Sequence, residues 1–220
     1  MTNTFPFKAV IFDCDGVLVD TEHMTNILWQ KGLNELGLEL SYEQMLHYFA
    51  GKSVADNLQQ AAELLGYPVP ESFQQKLYQR FVHELQTNLQ TISNIEYALQ
   101  NITLPKAVAT NTQRESLKLK LTRARLTDYF LDAVCVEDVD AAKPAPDVYL
   151  EAARRLNTNP QDCAAIEDSV VGIRAAAAAG MTVFAYAPGM NIQDQLAAGA
   201  VIAFDDMINL PELLRNYTGH

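Results

Sequence analysis

Four short segments carry residues whose types and spacing could handle a phosphate and a divalent cation. Asp13 and Asp15 stand two apart, directly after the mostly apolar run Phe7 to Phe12 (FKAVIF). Residues two apart on an extended segment point the same way, so both carboxylates can face one site while Cys14 points elsewhere. Thr110 ends a predicted strand and is followed by Asn111 and Thr112. A hydroxyl there, with backbone N–H groups after it, suits a phosphate oxygen. Glu167 and Asp168 precede Ser169 and a helical pattern, and such an acidic pair offers oxygen ligands to a hard cation. Lys143 lies in Ala142-Lys143-Pro144-Ala145-Pro146, where the prolines stiffen the backbone and fix where the ammonium points.

Each signal is weak alone. A lone Asp-x-Asp is usually a turn, Thr110 could be a capping residue and Lys143 an exposed lysine. Glu167 and Asp168 could merely suit the positive end of a helix. Cys14 fits a small buried packing residue better than a nucleophile, and Cys135 and Cys163 are expected in core strands. His23, His47, His83 and His220 lack metal-ligand spacing. What gives them weight is that three of the four segments fall at the ends of predicted strands, with Lys143 just ahead of a predicted helix.

Those strands belong to an alternating pattern. After the first run, residues from Thr21 to about Asn88 are helical in pattern, with Leu28, Leu33, Leu36, Leu58, Ala61, Ala62, Leu64 and Leu65 at three- and four-residue steps. Gly37, Gly51 and Gly66-Tyr67-Pro68 break this region into three or four helices. A further helix is predicted over Asn94 to Leu104. Strands are then predicted at Lys106–Thr110, Ala133–Val136, Cys163–Ile166, Thr182–Tyr186 and Val201–Phe204, with helices at Glu115–Arg125, Asp147–Leu156 and Val170–Ala179 between them. The alternation implies an α/β fold: a Rossmann-like parallel sheet flanked by helices. The expected organisation is a core of residues 1–19 and 89–220 interrupted by a helical cap of residues 20–88. Ligands in open parallel sheets bind beyond the carboxyl ends of strands, so such an insert attaches close to the expected site.

The chain has 220 residues and a formal net charge of −11. It is long enough for a sizeable core without disulfides, and no basic stripe marks a nucleic-acid partner. An acidic protein that takes an anionic substrate needs local positive charge from a metal, a lysine or helix N-termini. Three unpaired cysteines, no signal-like start and no apolar run near the ~20 residues of a bilayer span lead us to expect a cytoplasmic protein away from membranes. A monomer is the default expectation.

The segment Asp13-Cys14-Asp15-Gly16-Val17-Leu18-Val19-Asp20 resembles the first signature of the haloacid dehalogenase-like hydrolase superfamily. Thr110-Asn111 is similar to the second, Lys143-Pro144-Ala145-Pro146-Asp147 to the third, and Glu167-Asp168-Ser169 with Gly172 to the fourth. All four occur in the superfamily's order, and the resemblance covers nearly the whole chain. The sugar-phosphate phosphatases and β-phosphoglucomutases, which share a helical cap in this position, form the most similar group.

The resemblance implies a Mg²⁺-dependent phosphatase acting on a small phosphorylated metabolite such as a sugar phosphate or phosphorylated sugar acid. Carried over by position, Asp13 is the nucleophile that forms an aspartyl-phosphate and Asp15 the general acid and base. Asp13, the backbone carbonyl of Asp15, and Asp168 hold Mg²⁺, while Glu167 stands behind them or binds through water. Thr110, Asn111 and Lys143 hold the phosphate. Asp15 is expected to gain a proton when a lid excludes water. Gly51, Lys52 and Ser53 form either a helix start capped by Ser53 or a substrate-specificity loop of the cap, and Glu22 is a further candidate for substrate contact.

Within the superfamily, dehalogenases and phosphonatases lack the second aspartate, so Asp15 argues against both. Related mutases usually carry an arginine shortly after the cap-loop glycine and serine, where this chain has Val54. A phosphosugar mutase remains the alternative reading, and a non-catalytic phosphate-binding regulatory protein the second.

Overall fold

Short, mostly apolar runs make the strands, and the central ones over residues 9–12, 106–109 and 163–167 are buried throughout, as expected where helices cover both faces of a parallel sheet. The computed structural model describes residues 5–49 and 52–219. In it β1 (Ala9–Phe12) is followed by α1 (Thr21–Glu35), α2 (Tyr42–Phe49), α3 (Val54–Leu65) and α4 (Ser72–Thr87). After α5 (Ile95–Asn101) the chain alternates through β2 (Lys106–Ala109), α6 (Arg114–Arg123), β3 (Asp132–Val134), α7 (Asp147–Arg155) and β4 (Cys163–Glu167). It continues through α8 (Val170–Ala178), β5 (Thr182–Tyr186), α9 (Ile192–Ala198), β6 (Ala200–Phe204) and α10 (Leu210–Asn216).

The strands pair in parallel in the order β3-β2-β1-β4-β5-β6. This is the α/β, Rossmann-like core expected from the alternation. β1 lies between β2 and β4, so the chain winds outward from it in both directions. The carboxyl ends beside such a reversal are where an open parallel sheet forms a crevice. Below that rim, Val148, Tyr149 and Ala152 of α7 and Ile173, Ala175 and Ala176 of α8 are fully buried in one cluster with Ala9, Ile11 and Ala165. Among the described residues no helix is long and apolar enough to cross a membrane.

The chain divides into two units, Met1–Asp20 with Gln90–His220, and Thr21–Leu89. The first holds the sheet. The second is helical and has its own core of Trp29, Leu33, Met45, Phe49, Ala61 and Phe73. The Trp29 and Phe73 rings meet edge-on with centroids 5.4 Å apart, a favoured aromatic geometry.

Most expected elements differ from the observed ones by a residue or two at their ends, and in two cases the cause is visible. The helix predicted over Asn94 to Leu104 ends at Asn101, where Ile102 turns extended. The Lys106 ammonium donates to the Ile102 and Leu104 carbonyls at 2.5 and 3.2 Å, satisfying two carbonyls past the end of the helix. The strand predicted over Ala133 to Val136 is Asp132–Val134. The Cys135 N–H leaves the sheet to donate to Asp138 Oδ2 at 2.9 Å, which starts a 3₁₀ turn over Val136–Asp138. Cys135 is therefore buried, but past the strand rather than within it.

Candidate active site

The register of β1 with its two neighbours brings the chemistry together. Phe12 pairs with Val108 of β2 and with Ile166 of β4, so the residues that follow emerge level at one rim: Asp13 from β1, Thr110 after β2, and Glu167 and Asp168 at the end of β4. The Asp13 N–H still donates to the Ile166 carbonyl at 2.9 Å. The chain then turns back, with the Leu18 and Val19 N–H groups donating to the Cys14 carbonyl, and Cys14 is fully buried. Asp13, Asp15, Thr110, Lys143, Asp168 and Ser169 all line one cleft of about 400 Å³.

Gly16 makes this convergence possible. Its φ is +79°, and a β-carbon there would lie 1.9 Å from Asp168 Oδ2. Only glycine lets the β1 loop pass so close to the acidic end of β4.

Lys143 sits at the centre. Its side chain is 5% exposed, and its Nζ donates to Asp13 Oδ1 at 2.5 Å, Glu167 Oε1 at 2.6 Å and Tyr149 Oη at 3.2 Å. The ammonium also stands 4.8 Å from the Tyr149 ring centroid. Asn111 clamps the backbone of the same lysine: its Oδ1 accepts the Lys143 N–H at 2.9 Å and its Nδ2 donates to the Lys143 carbonyl at 3.3 Å. Thr110 is buried, and its Oγ1 accepts the Thr112 N–H at 3.1 Å, which leaves the hydroxyl hydrogen to donate elsewhere.

Glu167 is fully buried and satisfied on both oxygens. Oε1 accepts from Lys143 and from the Tyr149 hydroxyl, the latter at 2.9 Å. Oε2 accepts from the Asp168 N–H, the Ser169 N–H and the Ser169 hydroxyl. Ser169 in turn caps α8 by accepting the Gly172 N–H at 3.0 Å. A β-carbon on Gly172 would fall 1.7 Å from Glu167 Oε1, so that glycine makes room for the carboxylate.

Oxygens of Asp13, Glu167 and Asp168 lie within 4.8 Å of one another, with one ammonium bonded to two of the three acids. Burial pushes the Asp13 carboxyl up to about 7, against the pull of Lys143. Burial also lifts Asp168 well above the usual range, and Glu167 and Asp13 add to the rise. Burial opposes the Lys143 charge as well, but Asp13 and Glu167 outweigh it and hold the ammonium above its ordinary value. For Glu167 the lysine and hydrogen bonds prevail over burial and keep it low. A set of oxygen donors with excess negative charge, aimed into a cleft, fits a hard divalent cation.

Asp15 is gripped by residues that sequence reasoning did not single out. Lys120 Nζ lies 2.6 and 2.7 Å from its two carboxylate oxygens, and the Thr112 hydroxyl donates to Oδ2 at 2.7 Å. A signal for Lys120 existed: it falls between Leu117 and Leu121 on the buried face of α6, where a lysine is out of pattern. Tyr149 gave none, because an aromatic on a core helix face reads as packing.

The cap candidates lie in the helical unit. Ser53 is the N-cap of α3, accepting the Asp56 N–H at 3.1 Å. Lys52 is exposed, and Glu22 is exposed in the first turn of α1. Gly51 lies outside the described residues. His23 Nδ1 is 2.7 Å from the Tyr42 hydroxyl.

Residues 10–186 match the haloacid dehalogenase-like hydrolase family. The chain belongs to that family. It is 27% identical to the 6-phosphogluconate phosphatase of Escherichia coli over 94% of both chains. It is 31% identical to the β-phosphoglucomutase of Bacillus subtilis, covering 89% of this chain and 88% of that one. A hydrolase of the same family from Deinococcus radiodurans, crystallised with bound phosphate and sodium, superimposes with a TM-score of 0.83 at 30% identity, covering 96% of this chain and 99% of that one. The sequence signatures therefore pointed to the family to which the chain belongs.

Proposed function

We propose that this hydrolase is a Mg²⁺-dependent phosphatase that releases phosphate from a small phosphorylated metabolite, a sugar phosphate or phosphorylated sugar acid, by way of a phosphoryl group carried on Asp13. The observation that carries the reading is the buried junction of Asp13, Lys143 and Glu167 beside Asp168, with Lys143 Nζ 2.5 Å from Asp13 Oδ1 at the mouth of the cleft. Phosphatases are among its relatives, one of them alike over almost the full length of both chains, which supports a phosphoric monoester hydrolase.

In the first step an Asp13 carboxylate oxygen forms a bond to phosphorus as the bond to the leaving oxygen breaks. That oxygen takes its proton from Asp15. In the second step a water oxygen bonds to phosphorus and gives a proton back to Asp15. The bond from phosphorus to Asp13 breaks, its electron pair returns to the carboxylate, and inorganic phosphate leaves. Positioned acid–base help of this kind is worth ~10²–10⁴-fold in rate.

Lys143, the Thr110 hydroxyl and the Asn111 N–H hold the phosphate oxygens as charge moves among them. Asp13 and Asp168, with the Asp15 carbonyl, would hold Mg²⁺, which supplies the charge that keeps the substrate phosphate from repelling Asp13. Glu167, with both oxygens engaged, fixes Lys143 and the turn that carries Asp168. Sugar specificity would fall to the cap segment Gly51, Lys52 and Ser53 and to Glu22.

Phosphosugar isomerisation is the competing chemistry, since a mutase is among the relatives. Val54 at the start of α3 argues against it, because no arginine follows Ser53 to hold a second phosphate. A panel of phosphorylated sugars and sugar acids with Mg²⁺, scored by phosphate release, tests the proposal. Release that chelation and Asp13→Asn both abolish is the expected result. Conversion of a hexose 1-phosphate to its 6-phosphate without net phosphate would establish the mutase, and no turnover on any substrate would refute an enzymatic role.

A further inference from the structure

A lysine is almost never buried without a partner. Lys120 of α6 has a side chain only 5% exposed, and its ammonium meets both oxygens of Asp15, at 2.6 and 2.7 Å, and the Thr112 hydroxyl at 3.2 Å. The same hydroxyl donates to Asp15 Oδ2. Asp15 and Thr112 line the cleft and Lys120 does not, so the lysine holds the carboxylate from outside the cleft. The Asp15 side chain remains 35% exposed, which leaves part of it to face a ligand.

We infer that Lys120, together with Thr112, is a positioning residue that fixes the Asp15 carboxylate for its proton transfers. The inference rests on the phosphatase reading, in which Asp15 gives a proton to the leaving oxygen and takes one from water. An aspartate on a turn has two free side-chain torsions. Three charge-assisted or hydroxyl contacts on two oxygens remove that freedom. Geometry of this kind matters because a misplacement of ~1 Å at a reacting group can cost ~10²-fold in rate. Lys120 does not line the cleft. Its effect therefore appears only in steps where Asp15 handles a proton.

p-Nitrophenyl phosphate separates those steps. Its leaving group departs as a stable anion and needs no proton, so phosphorylation of Asp13 bypasses Asp15. Release of phosphate from Asp13 still needs water to be deprotonated. In Lys120→Met, first-turnover release of p-nitrophenolate in the presence of Mg²⁺ is expected to stay within ~3-fold of wild type, while steady-state turnover falls ~10–100-fold. The variant then shows a burst. Lys120→Arg, which can still bridge both oxygens, is expected to recover most of the loss. Adding Lys120→Met to Asp15→Asn is expected to slow turnover no further. Thr112→Val gives the same split to a smaller degree and carries the test if Lys120→Met fails to fold. Equal losses in both phases, unchanged steady-state turnover, or a further loss on the Asp15→Asn background would overturn the role. A wild-type protein that releases neither p-nitrophenolate nor phosphate would instead overturn the phosphatase reading, and the inference with it.

Discussion

Lys143 Nζ lies 2.5 Å from Asp13 Oδ1 and 2.6 Å from Glu167 Oε1, so one buried ammonium ties the end of β1 to the end of β4. Removing it leaves acids gathered in a poorly hydrated place. Breaking a buried ion pair from one side typically costs ~3–5 kcal/mol. Lys143→Met is expected to lose stability on that scale in urea denaturation with EDTA present, and to lose phosphate release as well. Added Mg²⁺ should restore part of the stability, because a cation at the same acids replaces part of the missing charge.

Gly172 offers a sharper test of how tightly Glu167 is seated. A β-carbon at this position falls 1.7 Å from Glu167 Oε1, and that carboxylate cannot swing aside while both of its oxygens are bonded. Gly172→Ala is expected to cost at least ~1–3 kcal/mol and to lower kcat/KM by roughly 10-fold or more. Gly66→Ala is the control. Gly66 has φ +76° with no described atom within 4 Å of the added carbon, so only the backbone cost of roughly 1–2 kcal/mol applies, and activity should hold. Thermal denaturation and steady-state kinetics on both variants measure the contrast.

The raised carboxyls at 13 and 168 predict a particular pH dependence. In the unfolded chain an aspartate loses its proton near pH ~4. In the metal-free fold Asp13 keeps its proton up to about 7 and Asp168 is raised in the same direction. The folded chain thus binds more protons than the unfolded one in that window, so these groups make stability fall as pH rises through it. A cation binds the ionised form and competes with protons. Mg²⁺ should therefore raise Tm more at pH ~7.5 than at pH ~5. Equal shifts at the two pH values would contradict the assignment of these acids as the cation site.

Asn111 holds the backbone of Lys143 with two hydrogen bonds, each worth ~0.5–1.5 kcal/mol. Asn111→Ala is expected to cost ~1–3 kcal/mol of stability and to raise KM for the phosphorylated substrate as the lysine loop loosens. An unchanged KM in steady-state assays would show that the prolines alone hold Lys143.

Much of this arrangement was legible because its causes are local. The run Ala9–Phe12 is a strand by composition, Asp13 and Asp15 follow it by two-residue spacing, and Gly66 ends its helix where a left-handed residue is needed. What was hidden depends on distant partners. Asn111 was read for its backbone N–H, but its side chain clamps a loop 32 residues away. Tyr149 gave no signal in the sequence, and its hydroxyl closes the network on Glu167. Cys135 was assigned to a strand because its neighbours are apolar, although a carboxylate three residues on captures its N–H.

In the proposed mechanism Asp13 carries the phosphoryl group between the two steps. Enzyme mixed with p-nitrophenyl phosphate and Mg²⁺, quenched in acid within the first turnover and digested, can be read by mass spectrometry. The account predicts one added phosphoryl group on the peptide that contains Asp13, and none in Asp13→Asn. Phosphate released by wild type with that peptide unmodified throughout, or by Asp13→Asn at an undiminished rate, would contradict it.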